Sequence, residues 1–192
     1  ATLFVVTDFL DRKSWIWTDM ARFLMLNAGD GDLAVEIGGK VINADLNGRS
    51  SRIRTAGKIN SELKRMNPTE RDAILSDIAA GIGVTIPDLP PDEFGPIDWA
   101  QAREMDTGWI SIGSHTVSHP ILPHVTADRL ADELSDSRRV LTDQLGHEVE
   151  SFCYPNGDAS SREFEAAGYA GYSVAVTTEL SLSNSNDNQV AL

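Results

Sequence analysis

Strand-like and helix-like segments take turns along most of this chain, and that alternation constrains its fold more than any other feature. Leu3 to Thr7 is a short apolar run with strand character, and Trp15 to Asn27 has helical spacing, with Ile16, Met20, Phe23, Leu24 and Leu26 as its apolar positions. After a long interruption the pattern resumes with a helix over Ile97 to Met105 and a strand over Trp109 to Ile112. A long helix follows over Thr126 to Leu145, opened by a Thr126 cap and ended by Gly146. A strand over Val149 to Tyr154, a helix over Ser161 to Ala167 stopped by Gly168, and a strand over Tyr172 to Thr177 complete the series. Strand and helix in alternation predict a parallel sheet with helices outside it, either open or closed as a barrel. In both cases the residues that do chemistry gather on loops at the C-terminal edge of the strands.

The interruption, about residues 29–96, has a different grammar. Leu33 to Ile37 and Val41 to Leu46 read as a β-hairpin turned by Gly38-Gly39. Two helices follow, about Ser51 to Met66 and Pro68 to Ala80, the second with Asn67 as N-cap and Pro68 at its first position. A proline-rich connector, "TIPDLPPDEFGP", leads back to the alternating pattern. The block therefore reads as an insertion within one domain spanning 1–192.

Composition narrows the classes of function. A chain of 192 residues that is 41% hydrophobic and 23% charged has material for a real core. Its net charge of −13 argues against a nucleic-acid or anionic-membrane surface, because phosphates are repelled. Arg49, Arg52, Arg54 and Lys58 cluster, and read as a solvated helix face. The single cysteine, Cys153, excludes an internal disulfide and a cysteine-rich zinc site. No apolar run approaches the roughly 20 residues needed to span a bilayer, and no secretory leader pattern is present. "ATLFVV" opens directly on a buried-type strand and "NQVAL" resembles the start of another, so both ends are expected to be cuts within a longer domain.

One stretch concentrates metal-binding chemistry: Gly113 to Pro120, "GSHTVSHP", with His115 and His119 four residues apart at a strand end. Helical i, i+4 spacing would put both imidazoles on one face. Pro120 disfavours helical geometry at His119, so a loop or single turn is expected. His124 and His147 lack such context and read as surface or packing residues. A second stretch, Ser151 to Asp158, "SFCYPNGD", also ends an apolar run, and Pro155-Asn156-Gly157 forces a turn that can aim a backbone N–H into a site.

Taken in order, "ATLFVVTDFL", "IGSHTVSHPIL", "SFCYPNGD" and "AGYSVAVTT" resemble the polysaccharide deacetylase family, also called carbohydrate esterase family 4, over about residues 1–28 and 97–178. The resemblance implies a (β/α)7 barrel, here incomplete, with the hairpin and helices as an insertion of the kind some bacterial members carry. It implies metal-dependent hydrolysis of acetyl groups on a polysaccharide or oligosaccharide, with a divalent metal, usually Zn2+. It assigns His115 and His119 to the metal, Thr116 to support of the loop, the backbone N–H of Asn156 to the oxyanion hole, and Tyr154 and Pro155 to the substrate groove. A cell-envelope or extracytoplasmic location follows from the resemblance alone.

Three departures qualify it. The Thr-Phe-Asp-Asp segment that supplies the family's base and third ligand would precede Ala1, so the catalytic base is missing from this chain, which is expected to bind metal weakly and hydrolyse little. The arginine that often opens the third motif aligns with Cys153. The late segment with the acid histidine would fall near or beyond Leu192. Asp8, Asp11 and Asp158 are candidate substitutes; Asp8 ends the first strand and so lies on the correct edge, but it does not match the family's ligand position. A catalytically silent carbohydrate-binding or scaffold domain therefore stands as an alternative, with Trp15, Trp17, Trp99 and Trp109 as stacking platforms or, more simply, packing residues. A related amidase acting on a non-sugar substrate is a third reading.

Overall fold

The structure, a computed structural model, describes residues 1–178 and 188–192. In chain order the elements are β1 (Thr2–Val5), α1 (Thr7–Leu10), α2 (Trp17–Asn27), β2 (Asp32–Ile37), β3 (Lys40–Asp45), α3 (Arg49–Leu63), α4 (Pro68–Ile82), α5 (Trp99–Asp106), β4 (Ser111–Ser114), α6 (Ala127–Leu145), β5 (Ser151–Cys153), α7 (Ser161–Tyr169) and β6 (Val174–Val176). They divide into two compact units, one of Ala1–Ser14 with Gly95–Leu192 and the other Trp15–Phe94.

The first unit is the expected α/β arrangement: a parallel sheet of order β1-β4-β5-β6 with helices packed on it. Among the described residues no pairing joins β6 back to β1, so the ladder is open, as an incomplete barrel requires. Beyond β6, Gln189 O accepts from Ala175 N (2.7 Å) and Leu192 N donates to Ala175 O (3.0 Å). The "NQVAL" segment thus lies along the outer edge of β6, although not as a regular strand. One core cluster gathers Val5, Leu10, Ala102, Ile112, Leu141 and Val149; another gathers Leu122, Leu130, Leu134, Phe152, Tyr154 and Tyr172 among others.

α6 is the unit's long amphipathic helix. Thr126 Oγ1 accepts from Arg129 N at its start, and Gly146 ends it in the left-handed conformation (φ 80°) that a non-glycine residue adopts only at a cost. Elsewhere the local reading needs correction. β4 lies two residues later than expected, because Ser111, Gly113 and Ser114 belong to the strand despite their weak strand preference. Gly113 is needed there: a Cβ would stand 2.6 Å from both the Phe4 ring and Ser151 Oγ. α7 runs through Gly168 to Tyr169, and the chain turns instead at Gly171 (φ 93°). α1 was not anticipated; Thr7 N and Asp8 N donate to Thr116 O (3.2 Å) and Val117 O (3.0 Å), which turns the chain as soon as β1 ends.

The second unit holds the hairpin β2–β3, with Ile37 facing Lys40 across Gly38 (φ 59°) and Gly39 (φ 78°). Two consecutive positive φ values make the two-residue turn that matches strand twist. Asn67 caps α4 with a reciprocal box to Glu70. Trp15, Phe23 and Phe94 form an aromatic cluster, and the Arg71 guanidinium lies 4.8 Å over the Trp17 ring. Arg49, Arg54 and Lys58 are solvated as expected, but Arg52 is buried. Its Nη1 donates to Met25 O (2.8 Å) and Ala28 O (2.5 Å), carbonyls at the end of α2 that the helix itself leaves without donors, and Nη2 pairs with Asp30 (2.8 Å). Among the described residues no helix is long and apolar enough to cross a membrane.

Candidate functional site

The strand register decides which loops meet. Val5 is level with Ser114, Ser114 with Phe152, and Cys153 with Val176, so the segments after β1, β4 and β5 leave the sheet at one edge. His115 is the first residue beyond β4, and its N–H still donates to Val5 O (2.9 Å). Thr116 is fully buried; its Oγ1 accepts from His119 N (2.9 Å) and donates to His115 O. The segment is a loop, as Pro120 predicts. Thr116 (φ 76°) and His119 (φ 57°) are both left-handed, which for a non-glycine residue costs about 1–2 kcal/mol. Such geometry persists only where surrounding bonds over-determine it, and here the threonine hydroxyl bridges both histidines' backbones.

His115 Nδ1 lies 2.6 Å from Cys153 O. A carbonyl only accepts, so Nδ1 carries the hydrogen and the neutral ring keeps its lone pair on Nε2. Burial lowers the His115 pKa, against a smaller opposing effect of that hydrogen bond, and so favours the neutral ring. His119 is buried beside it, with ring centroids 4.8 Å apart and planes at 67°. A neutral imidazole with its second nitrogen donating to a carbonyl is the arrangement metal-ligating histidines ordinarily have, so His115 and its neighbour suit a divalent metal.

The donor set stops at two. Among the described residues no group of three or more His, Cys, Asp or Glu could hold a metal ion, whereas catalytic zinc ordinarily has three protein ligands. Asp11 accepts from Lys13 Nζ (2.7 Å) and Trp99 Nε1 (2.8 Å), Asp8 Oδ1 lies 3.8 Å from Lys13, and Asp158 is exposed.

The next loop along the edge is the turn after β5. Gly157 N donates to Tyr154 O (2.8 Å) and Asn156 is left-handed (φ 57°, ψ 3°). Gly157 (φ 76°) admits no other residue, since a Cβ would meet Thr178 Oγ1 at 2.2 Å. Thr178 Oγ1 in turn donates to Asn156 O (3.1 Å). Tyr154 corrects the expectation of a groove wall: it is fully buried against Phe152 and Phe164, and its hydroxyl donates to Val190 O (2.7 Å). Its large ring belongs to the core cluster, and Pro155 is buried with it. Cys153 contributes its carbonyl to His115, and burial raises its thiol pKa.

Glu133 of α6 is the residue the sequence reading missed. It is fully buried, and its carboxylate accepts from Val117 N (2.8 Å), Ser118 N (2.9 Å) and Ser118 Oγ (2.5 Å) while pairing with Arg129 Nη2 (2.6 Å). The signal was available: Leu130, Glu133, Leu134, Ser137 and Leu141 form one helical stripe, and a carboxylate within an apolar stripe must be paired. The remaining candidates fall elsewhere. His124 is exposed, and His147 pairs with Asp106 (2.5 Å). Trp15 and Trp17 are core residues, and Trp109, 96% exposed, precedes β4 at the opposite sheet edge from His115.

A family model described as polysaccharide deacetylase matches residues 44–175, more than half of the chain. YxkH of Bacillus subtilis (strain 168), a protein named by inference as a polysaccharide deacetylase, is 30% identical over 92 residues, 48% of this chain and 33% of its own length. The chain therefore spans about a third of that curated relative. Among solved structures, the Streptococcus pyogenes deacetylase PplD in complex with acetate is 29% identical, covering 45% of this chain and 38% of its own, with a TM-score of 0.43. BC0361, a polysaccharide deacetylase from Bacillus cereus, is 22% identical, covering 57% and 37%, with a TM-score of 0.42.

Proposed function

The chain belongs to the polysaccharide deacetylase family, and from that premise we propose that it forms part of a metal-dependent hydrolase that removes acetyl groups from a polysaccharide or oligosaccharide. The observation that carries the reading is the His115 hydrogen bond to Cys153 O, which leaves Nε2 available beside His119 at the strand edge where such chemistry is found.

His115 and His119 would hold the divalent metal, zinc by family resemblance. A metal there supplies Lewis-acid polarisation of the acetyl carbonyl and a more acidic water. The chain's own residues then have separate tasks. His115 keeps its tautomer through Cys153 O, and Thr116 sets the distance between the two histidines by bonding both backbones. The Asn156 backbone N–H, on the neighbouring strand end, is the proposed donor to the negative charge that develops on the acetyl oxygen. Asp8, Asp11 and Asp158 do not join the histidines, so the proton-accepting base and third ligand are assigned to none of them.

The test uses the full natural protein. It should carry stoichiometric zinc and release acetate from an acetylated chitooligosaccharide, and His115→Ala should lose both. Unchanged zinc content in His115→Ala refutes the ligand assignment. Asn156→Gly, which keeps both the backbone N–H and the left-handed turn (φ 57°), should retain zinc and most of the acetate release; loss of release with zinc retained moves the role to the side chain and removes the backbone oxyanion assignment.

A further inference from the structure

The histidine loop does not rest on apolar packing alone. It sits on a polar seam of α6 made by two residues one turn apart, Glu133 and Ser137, both fully buried. Ser137 Oγ accepts from Ser114 Oγ (2.9 Å), and Ser114 is the residue before His115. Ser137 donates to Glu133 O (2.7 Å), and Tyr172 OH, bonded to Leu134 O (3.0 Å), lies 3.1 Å from Ser137 Oγ. Glu133 holds the two residues between the histidines that Thr116 leaves out, Val117 and Ser118, through both backbone N–H groups and the serine hydroxyl.

We propose that Glu133, with Ser137 beside it, is the positioning residue of the metal site: a buried carboxylate that fixes the His115 to His119 loop in ligand geometry before any metal arrives. The assignment rests on the deacetylase reading given above and names what pre-organises its site.

The chemistry selects a carboxylate. Four donors converge on Glu133, two amides, one hydroxyl and the Arg129 guanidinium, and an ionised carboxylate is the side chain with acceptor capacity for all of them and no hydrogen to place against them. A glutamine of the same shape offers one accepting oxygen and turns an NH2 group toward groups that themselves donate. The loop would then leave amides unsatisfied or shift to reach other partners. Thr116 and His119 are left-handed and relax readily once released, so a change at Glu133 is transmitted to the ring positions. Glu133 acts on the metal only through the peptide that joins the two histidines.

The test compares the full natural protein with Glu133→Gln and His115→Ala. Zinc affinity is read by competition with a chromophoric chelator, ligand geometry by the visible absorption of the cobalt(II) form, and folding by the thermal midpoint of the metal-free proteins. Glu133→Gln should bind zinc about ten- to a hundred-fold more weakly, the usual range for losing a residue that orients a ligand, and should shift the cobalt spectrum at temperatures well below its midpoint. A merely structural role would lower the midpoint and leave affinity and spectrum at the parent's values, and that result overturns the proposal. Should Glu133→Gln fail to fold, Ser118→Ala removes one of the four donors and keeps both amides. It should then show a several-fold loss of affinity, and parental affinity there is equally fatal. Equal zinc content in the parent and His115→Ala sinks the metal reading itself, whereas loss in His115→Ala with none in Glu133→Gln sinks only this assignment.

Discussion

The two units treat backbone strain differently. In the Trp15–Phe94 unit every described residue with positive φ is a glycine: Gly31, Gly38, Gly39, Gly48 and Gly83. In the other unit Arg12, Thr116, His119 and Asn156 adopt positive φ without being glycine, and three of these four are residues singled out for chemistry. Buried charge divides as well. Arg52 and Arg71 are the cations buried in the hairpin unit, one capping α2 and the other stacked on Trp17, while the anions Glu133 and Glu163 are buried in the sheet unit. Both units use glycine where the chain must turn left, the sheet unit at Gly146, Gly157 and Gly171. The sheet unit adds left-handed residues that keep their side chains, and at Thr116 and His119 extra hydrogen bonds hold them.

That contrast can be broken by mutation. Phe152→Ala and Ile59→Ala each empty a fully buried position, and should cost about 3–5 and about 2–5 kcal/mol respectively in denaturant unfolding. Only Phe152→Ala, next to the Cys153 carbonyl, should also weaken zinc binding; equal effects on zinc would erase the division of labour. Gly83→Ala should destabilise by about 1–2 kcal/mol, since φ is 69° there, although an added Cβ would meet nothing within 4 Å. Arg12→Gly should do the reverse, by about 0.5 kcal/mol once glycine's greater unfolded freedom is deducted, without touching activity.

The smallest effect lies at the other sheet edge, where the hydrogen bond to Asp106 raises the His147 pKa above its ordinary value near 6.5. The charged form is favoured by folding, so this contribution is complete below the ordinary value and fades as pH rises through the higher folded one. The side chain is half exposed, and the effect should not exceed about 0.5 kcal/mol. Thermal midpoints across that window should slope in the parent and flatten in His147→Ala.

Much of the fold was legible because its signals are local. Asn67-Pro68 and the Thr126 and Gly146 ends of α6 fall where cap chemistry puts them, and the alternation gave the parallel α/β class. What escaped depends on partners distant in sequence. Gly113 looked like a loop residue until Phe4 and Ser151 closed on it, and Arg52 looked solvated until the end of α2 supplied its acceptors. At the site, the histidine spacing was visible, but Glu133 is identified by what it touches 15 and 16 residues away. Tyr154 erred in the opposite sense: a motif position suggested a groove wall, and packing made the ring part of the core.

The bond from His115 to Cys153 uses a peptide carbonyl and no side chain. Position 153 can therefore change its side chain over many generations without altering which imidazole nitrogen carries the proton. The choice of tautomer is stored in the path of the main chain, where point mutation reaches it only by bending β5 itself.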